Sequence, residues 1–275
     1  VAEHSVQPHG GGAKAAALMP MLSPALAIAR YTLLEALRSR LLWLFVLAAC
    51  GAAALAGFLQ QLALTESGAV QAALLAATLR LAAVFLLGTF IITSMAREAA
   101  DRGLELLLAL PMPRAAYLLG KLLGYGALAA VPAVLFGLLM ALFAAPAHSA
   151  LWALSLLGEL WIVASFSLLC AASLQQALPA LAATGGFYVL ARMLGSLQLL
   201  AHGPQAGDSL LQRATAGAID VLALLLPRLD AFTRTDWLLY ATGDWQALVN
   251  VVAQTIIYVG LLASCALCDF YRRNI

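Results

Sequence analysis

Residues 97–121 read REAADRGLELLLALPMPRAAYLLGK and lie between two long apolar runs. The stretch holds three acids and four bases in a chain that is otherwise rich in Leu and Ala. Its first half predicts an amphipathic helix that stops at Pro111 and Pro113, because proline lacks a backbone N–H and clashes inside a helix. A second helix is predicted to begin at Arg114 and to continue into the next apolar run. We therefore interpret residues 97–121 as a charged contact element at a membrane surface.

Composition places the whole chain among membrane proteins. Hydrophobic residues make up 64% of the sequence and charged residues 10%, whereas soluble domains are about one quarter charged. Apolar runs recur at lengths that can cross a bilayer. The predicted fold class is therefore all-α, a polytopic membrane protein. The net charge of +2 is too small to indicate a nucleic-acid partner.

Six transmembrane helices are predicted, because six apolar runs are each long enough to span and carry few or no charges. Their small residues, mostly Ala and Gly, allow close packing of one helix on another. The predicted spans cover residues 41–58, 72–96, 122–144, 151–172, 178–200 and 247–267.

The N-terminal part is predicted to differ from the spans. Residues 1–22 are interpreted as a flexible cytoplasmic tail, and residues 23–275 as a single transmembrane domain. Ser23 is the predicted N-cap of a first helix, with Pro24 at its first position. Leucines alternate with charges over residues 24–40, which predicts a helix lying in the membrane interface. The alternative is that this helix is only the wet end of the first span.

Residues 201–246 change character, with five aspartates, three arginines and two tryptophans. An amphipathic run over residues 210–226 ends at Pro227 and is too charged to span. We predict that this outer segment forms one or two helices that dip into the outer leaflet. It then contributes to an exit gate or binds an outer partner, or is a lid that only packs on the spans.

The distribution of bases predicts the orientation, because loops on the cytoplasmic side are enriched in Lys and Arg. If the N-terminus is cytoplasmic, both termini and residues 97–121 lie on the cytoplasmic side. The membrane is then predicted to be the cell inner membrane. The inside then carries Lys14, Arg30, Arg38, Arg40, Arg97, Arg102, Arg114, Lys121, Arg272 and Arg273, and the outside carries Arg213, Arg228 and Arg234.

Three ionisable residues fall inside predicted spans: Arg80, Glu159 and Arg192. Each lies about 12 to 14 Å from the outer end of its helix at 1.5 Å per residue. Charges in a membrane face protein or water and pair with one another, so we predict one polar cluster between spans two, four and five. It either fixes helix packing, or its surplus positive charge faces a translocation cavity and meets an anionic head group or a gating water.

Catalytic and metal sites are disfavoured. Cys265 and Cys268 share a helix face, but no His lies near them in sequence, so ordinary packing is favoured over a metal site. The histidines fall in the tail or in outer turns, which leaves no buried base beside a serine or threonine in the spans. No phosphate-binding loop is present either. The sequence therefore predicts no enzyme activity, no metal and no bound cofactor in this chain.

The order of these features resembles the permease subunits of ABC-2 type ABC transporters. The resemblance covers about residue 25 to the C-terminus and is carried by four features: the interfacial helix, six spans with both ends inside, the run GLELLLALPMPRAAYLLGK after span two, and the basic tail FYRR at 270–273. It implies a transmembrane subunit driven by separate ATPase subunits, which bind ATP and Mg²⁺, and a second permease copy as homodimer or heterodimer. The substrate stays open.

The resemblance also assigns roles within the charged stretch. It implies that residues 97–111 form the helix on which the ATPase docks. The charged side chains are expected on the wet face and the leucines in a groove of the partner or in the membrane interface. The predicted coupling residues are Arg97, Glu98, Asp101, Arg102, Leu104, Leu107, Leu108 and Arg114. Two alternatives stay open, a secondary transporter and a membrane scaffold subunit of an assembly complex.

Overall fold

The computed structural model describes residues 11–62, 67–100, 114–202, 210–240 and 242–272, and these residues are helical apart from short turns. No strand occurs in this part of the chain, which confirms the predicted all-α class. The helices are α1 (Gly11–Arg38), α2 (Leu41–Leu62), α3 (Ser67–Ala100), α4 (Arg114–Met140), α5 (Pro146–Leu174), α6 (Ala177–Ala201), α7 (Leu210–Leu225), α8 (Asp236–Leu239) and α9 (Trp245–Arg272), with a 3₁₀ turn at Leu229–Ala231.

Six of these helices, α2 to α6 and α9, are long and apolar enough to span a membrane. The first span covers Leu41–Phe58, as predicted. The largest difference is at α4, whose span begins at Ala115 instead of residue 122. The residues directly after Arg114 are mostly apolar, so the part of α4 that can lie in the hydrocarbon region begins at its first turn.

Helix α5 is at the centre of the bundle. In the most apolar 18-residue stretch of α5, 67% of the residues are buried, against 28% in those of α2 and α6 and 22% in that of α9. Trp152, Leu156 and Leu160 of α5 are fully buried, and α5 packs against α3, α4, α6 and α9. The spans α2, α6 and α9 therefore leave most of their surface outside the protein core.

Helix α1 packs on α4 through small residues. A Cβ added at Gly120 would lie 2.7 Å from the carbonyl oxygen of Ala25, and one added at Gly124 would lie 2.8 Å from Cβ of Thr32. Two glycines four residues apart let helix backbones approach closely. Three of the leucines behind the interfacial prediction, Leu26, Leu34 and Leu37, are 66%, 41% and 37% exposed and so lie away from this face.

The start of α1 was predicted wrongly. The helix begins at Gly11 rather than at Ser23, so the second half of the predicted flexible tail is helical. The reason is local composition: residues 13–19 read AKAAALM, and Ala, Lys, Leu and Met are among the strongest helix formers. Residues 1–10 lie outside the described part of the chain.

The connection between α6 and α9 enters the bundle. Helix α7 leaves Val221, Leu224 and Leu225 exposed, whereas the turn and α8 that follow bury Phe232 and Trp237. Residues 229–238 pack against α3, α5 and α6. The part of the predicted outer segment that enters the bundle is therefore the turn after Pro227, beyond the amphipathic run itself.

Candidate functional site

A polar cluster is built around Glu159, midway along α5. Its side chain is 0% exposed. The Tyr188 hydroxyl on α6 donates to Oε1 of Glu159 at 3.0 Å, and the Thr233 hydroxyl donates to Oε2 at 2.8 Å. Nη1 of Arg192 lies 3.9 Å from Oε1. The carboxylate thus has donors on both oxygens, which a buried charge requires.

Thr233 is the point at which the α6–α9 connection is attached to the spans. Its N–H donates to Oγ of Ser155 at 2.9 Å, and its hydroxyl also accepts from Arg80 and Arg192, at 3.4 Å in each case. Arg192 further donates to the carbonyls of Phe232, at 3.0 Å, and Leu229. The connection is therefore held by side chains from α3, α5 and α6.

The backbone at Thr233 is in an unusual conformation. Its φ is 44°, a left-handed value that is rare for a β-branched residue and costs about 1–3 kcal/mol. Next to it, Phe232 approaches Gly158, where an added Cβ would lie 3.3 Å from the Phe232 ring. The hydrogen bonds to Thr233 and the missing side chain at position 158 together allow the turn to sit this deep.

All three intramembrane charges predicted from sequence lie in this cluster. Glu159 pairs with Arg192, and Arg80 joins them through the carbonyl and hydroxyl of Thr233. Asp230 on the same turn packs against Gly195 and interacts electrostatically with Arg192. With Asp230 included, two acids face two bases, so the expected surplus of positive charge is absent from this cluster.

Sequence reasoning missed four members of the cluster: Ser155, Tyr188, Asp230 and Thr233. Two of them had a usable signal, because Ser155 precedes Glu159 by four residues and Tyr188 precedes Arg192 by four, which puts each pair on one helix face. Thr233 had none, since it lies 74 residues from Glu159 in sequence.

A second ionic site lies at one end of the bundle, where α3 ends and α4 begins; we call this the basic end. Nζ of Lys121 lies 2.6 Å from Oε2 of Glu98, with the two side chains 2% and 20% exposed. The rings of Tyr117 and Tyr125 flank the ammonium group at 6.0 and 5.9 Å. Glu98 is therefore paired with a buried lysine rather than placed at the wet face as expected, because the α4 turn that carries Lys121 packs beside it.

Other parts of the predicted coupling stretch are only partly described. Arg97 is exposed at the end of α3, and Arg114 is the first residue of α4. Residues 101–113 lie outside the described residues, and with them Asp101, Arg102, Leu104, Leu107 and Leu108.

The sequence profile of a family described as ABC-2 family transporter protein matches residues 26–268. The chain belongs to this family. The match covers both ionic sites and the connection between α6 and α9, and it confirms the resemblance seen in the sequence. No curated protein matches the chain.

Family membership makes this ABC-2 protein a multi-pass membrane permease of the ABC transporter type. Permeases of this kind are transport subunits rather than catalysts, and they associate with ABC ATPase subunits and the lipid bilayer. Within its described residues, no group of three His, Cys, Asp or Glu side chains is placed to hold a metal ion. Cys265 and Cys268 are exposed on α9.

Proposed function

We propose that this chain is the membrane subunit of an ABC transporter in which a separate ATPase docks on residues 97–111 and moves α3 and α4 together. The observation that carries the proposal is the Glu98–Lys121 pair in a chain of the ABC-2 family. ATP and Mg²⁺ belong to the partner subunit in this scheme. A second permease copy completes the transporter.

The ion pair supports this role through its position. Glu98 is two residues before the end of α3, and Lys121 is two turns into α4. The pair thus joins the two helices immediately behind the segment that connects them. A push on that segment is then passed to both spans instead of being lost in a hinge, since a buried charge left without its partner costs about 3–5 kcal/mol.

Orientation is part of the proposal. The excess of Lys and Arg at the basic end supports a cytoplasmic position for it and for both termini, in a cell inner membrane. Cysteines introduced at Ser67 and Gly207, in a background without the native cysteines, are expected to react with an impermeant thiol reagent on intact cells. A cysteine at Ala109 is expected to stay unlabelled. If it reacts with the reagent on intact cells, the proposed orientation is wrong.

The outer segment, residues 201–246, is proposed to form the exit gate, with the turn around Thr233 anchoring it in the bundle. Two observations support this role. Phe232 and Thr233 are buried between α3, α5 and α6, and charged side chains hold them there. Deletion of residues 210–226 is expected to abolish transport while ATPase docking persists. Unchanged transport would contradict the gating role and leave the segment a lid that only packs.

Docking is tested by copurification of the ATPase with tagged permease. Leu107→Asp is expected to abolish docking or to uncouple ATP hydrolysis from transport, because loss of a packed leucine costs about 2–5 kcal/mol. Arg97→Ala is the matched control, since this side chain is exposed and an exposed charge contributes about 0–1 kcal/mol. If Leu107→Asp docks the ATPase and couples hydrolysis to transport as the parent does, this stretch has no coupling role. Transport driven by an ion gradient without any ATPase would favour a secondary transporter.

A further inference from the structure

The C-terminal turn of α9, residues 269–272, packs against the basic end of the bundle. Phe270 on this turn is 6% exposed, although α9 is the span with the smallest buried share. Its ring is nearly parallel to that of Tyr117 on α4, with the ring centroids 6.2 Å apart and the planes at 21°. Aromatic pairs prefer such offset-stacked arrangements. The turn therefore contacts α4 at one of the two tyrosines that flank Lys121.

A hydrogen bond attaches the same turn to α5. The Ser173 hydroxyl, in the last turn of α5, donates to Oδ2 of Asp269 at 2.9 Å. Asp269 and Phe270 are adjacent in sequence, so the end of α9 is held by the beginning of α4 and the end of α5 together. The match to the ABC-2 family ends at residue 268. Family membership therefore assigns no role to this turn.

The stacked rings lie directly beside the Glu98–Lys121 pair. Nζ of Lys121 is 6.0 Å from the centroid of the Tyr117 ring, and Tyr117 interacts electrostatically with Glu98. The attraction between an ammonium group and an aromatic ring depends on where the ring is held. Without its stacking partner, the Tyr117 side chain gains freedom to turn away from the ammonium group. Phe270 therefore acts on the ion pair through Tyr117.

We propose that Phe270 is a positioning residue for the coupling site: it holds the Tyr117 ring beside Lys121 and joins α9 to the unit of α3 and α4. Displacement of the ring admits water to the ammonium group and weakens its attraction to Glu98, because the attraction falls as the local dielectric constant rises. The movement of α9 with α3 and α4 rests on the proposed docking of an ATPase on residues 97–111. The packing around Lys121 does not depend on that docking.

Chemical labelling of Lys121 measures whether the pair stays closed, and it needs no ATPase. The chain contains two lysines, Lys14 and Lys121. Full-length protein in detergent is treated with the N-hydroxysuccinimide ester of acetic acid, and mass spectrometry follows the acetylation of each lysine. Phe270→Ala is expected to raise the rate at Lys121, relative to Lys14, by about fivefold or more, the factor for loss of one desolvated cation–π contact. An unchanged relative rate overturns the proposal.

Three variants separate stacking from general packing. Tyr271→Ala is the matched control, because this neighbouring ring is 55% exposed, and it is expected to label like the parent. Phe270→Tyr keeps the stacked ring and is expected to restore slow labelling of Lys121. Phe270→Leu keeps apolar volume without a ring and is expected to label faster than the parent. If Phe270→Leu labels at the parental rate, apolar packing alone holds the turn and the proposal is overturned.

Copurification of the ATPase separates this role from the docking site itself. Phe270→Ala is expected to retain the ATPase, because residues 97–111 are unchanged, and to lower the transport obtained per ATP hydrolysed. Parental coupling in a Phe270→Ala protein whose Lys121 labels rapidly overturns the link between α9 and the moving helices. If instead Leu107→Asp docks and couples as the parent does, the docking site is wrong, and the labelling of Lys121 still decides the role of Phe270.

Discussion

Replacement of Glu159 by Gln tests whether charge holds the α6–α9 connection in the bundle. The substitution keeps the shape of the side chain and removes its charge. Arg192 then lies 3.9 Å from a neutral amide instead of a carboxylate, and Thr233 loses the acceptor to which it donates at 2.8 Å unless the amide turns its oxygen toward it. The buried donors around Glu159 cannot all be satisfied by an amide with a single acceptor oxygen.

The magnitude follows from the burial of the carboxylate. Breaking a buried ion pair by removing one partner costs about 3–5 kcal/mol. We expect the lower end, about 3 kcal/mol, because the amide oxygen still accepts one of the two hydrogen bonds. For a chain of this size the midpoint of thermal unfolding then falls by roughly 6–12 °C.

The assay is thermal unfolding of purified full-length protein in one detergent, followed by tryptophan fluorescence. Asp220→Asn is the matched control, because it makes the same carboxylate-to-amide change in an exposed pair with His202 at 3.4 Å, with side chains 53% and 55% exposed. Such a pair contributes about 0–1 kcal/mol. If Glu159→Gln shifts the midpoint no more than Asp220→Asn does, the turn is held by packing and the electrostatic reasoning is refuted.

Three further predictions concern other parts of the bundle. Thr233→Gly is expected to be milder than Thr233→Val by about 1–2 kcal/mol in chemical denaturation, because both lose the hydroxyl but only Gly relieves the left-handed backbone; a milder Val would contradict the strain. Gly124→Leu is expected to displace α1 from α4 and expose it to protease, at a cost of about 1–3 kcal/mol, whereas Gly51→Leu leaves cleavage unchanged. In a double-mutant cycle of Glu98→Gln and Lys121→Met, we expect a coupling energy of about 1–3 kcal/mol; additive effects would mean that the pair is not coupled.

The spans could be predicted because hydrocarbon allows few alternatives. A run such as residues 41–58 has no charge, and in a bilayer its backbone groups are satisfied only within a helix. Helix ends were less predictable, since a helix continues into water wherever composition allows, as α3 does from Ser67. Most helices therefore extend beyond the predicted spans, whereas α4 ends at Met140, before the predicted residue 144.

The polar cluster could be predicted only in part. The free-energy cost of a charge in hydrocarbon indicates that Arg80, Glu159 and Arg192 pair with groups inside the protein. It does not say which partners, because hydrogen bonds between distant segments leave no periodic pattern in one sequence. Thr233 bonds to Glu159 across 74 residues, and its segment was predicted to dip into the outer leaflet rather than to bond to the charges within the spans. The pairing of Glu98 was missed for a related reason: periodicity placed it on a surface helix, whereas packing placed Lys121 beside it.

The two ionic sites share one helix, and this relation connects the proposed docking site to the proposed exit. Arg80 and Glu98 both belong to α3, separated by 18 residues or about 27 Å along the axis. Helix α3 contains no proline between them, unlike α4, which contains Pro132. A shift of Glu98 with its lysine partner is therefore expected to move Arg80 as part of the same rigid body. Because Arg80 is bonded to Thr233, displacement at the basic end changes the contact that holds the turn at the far end.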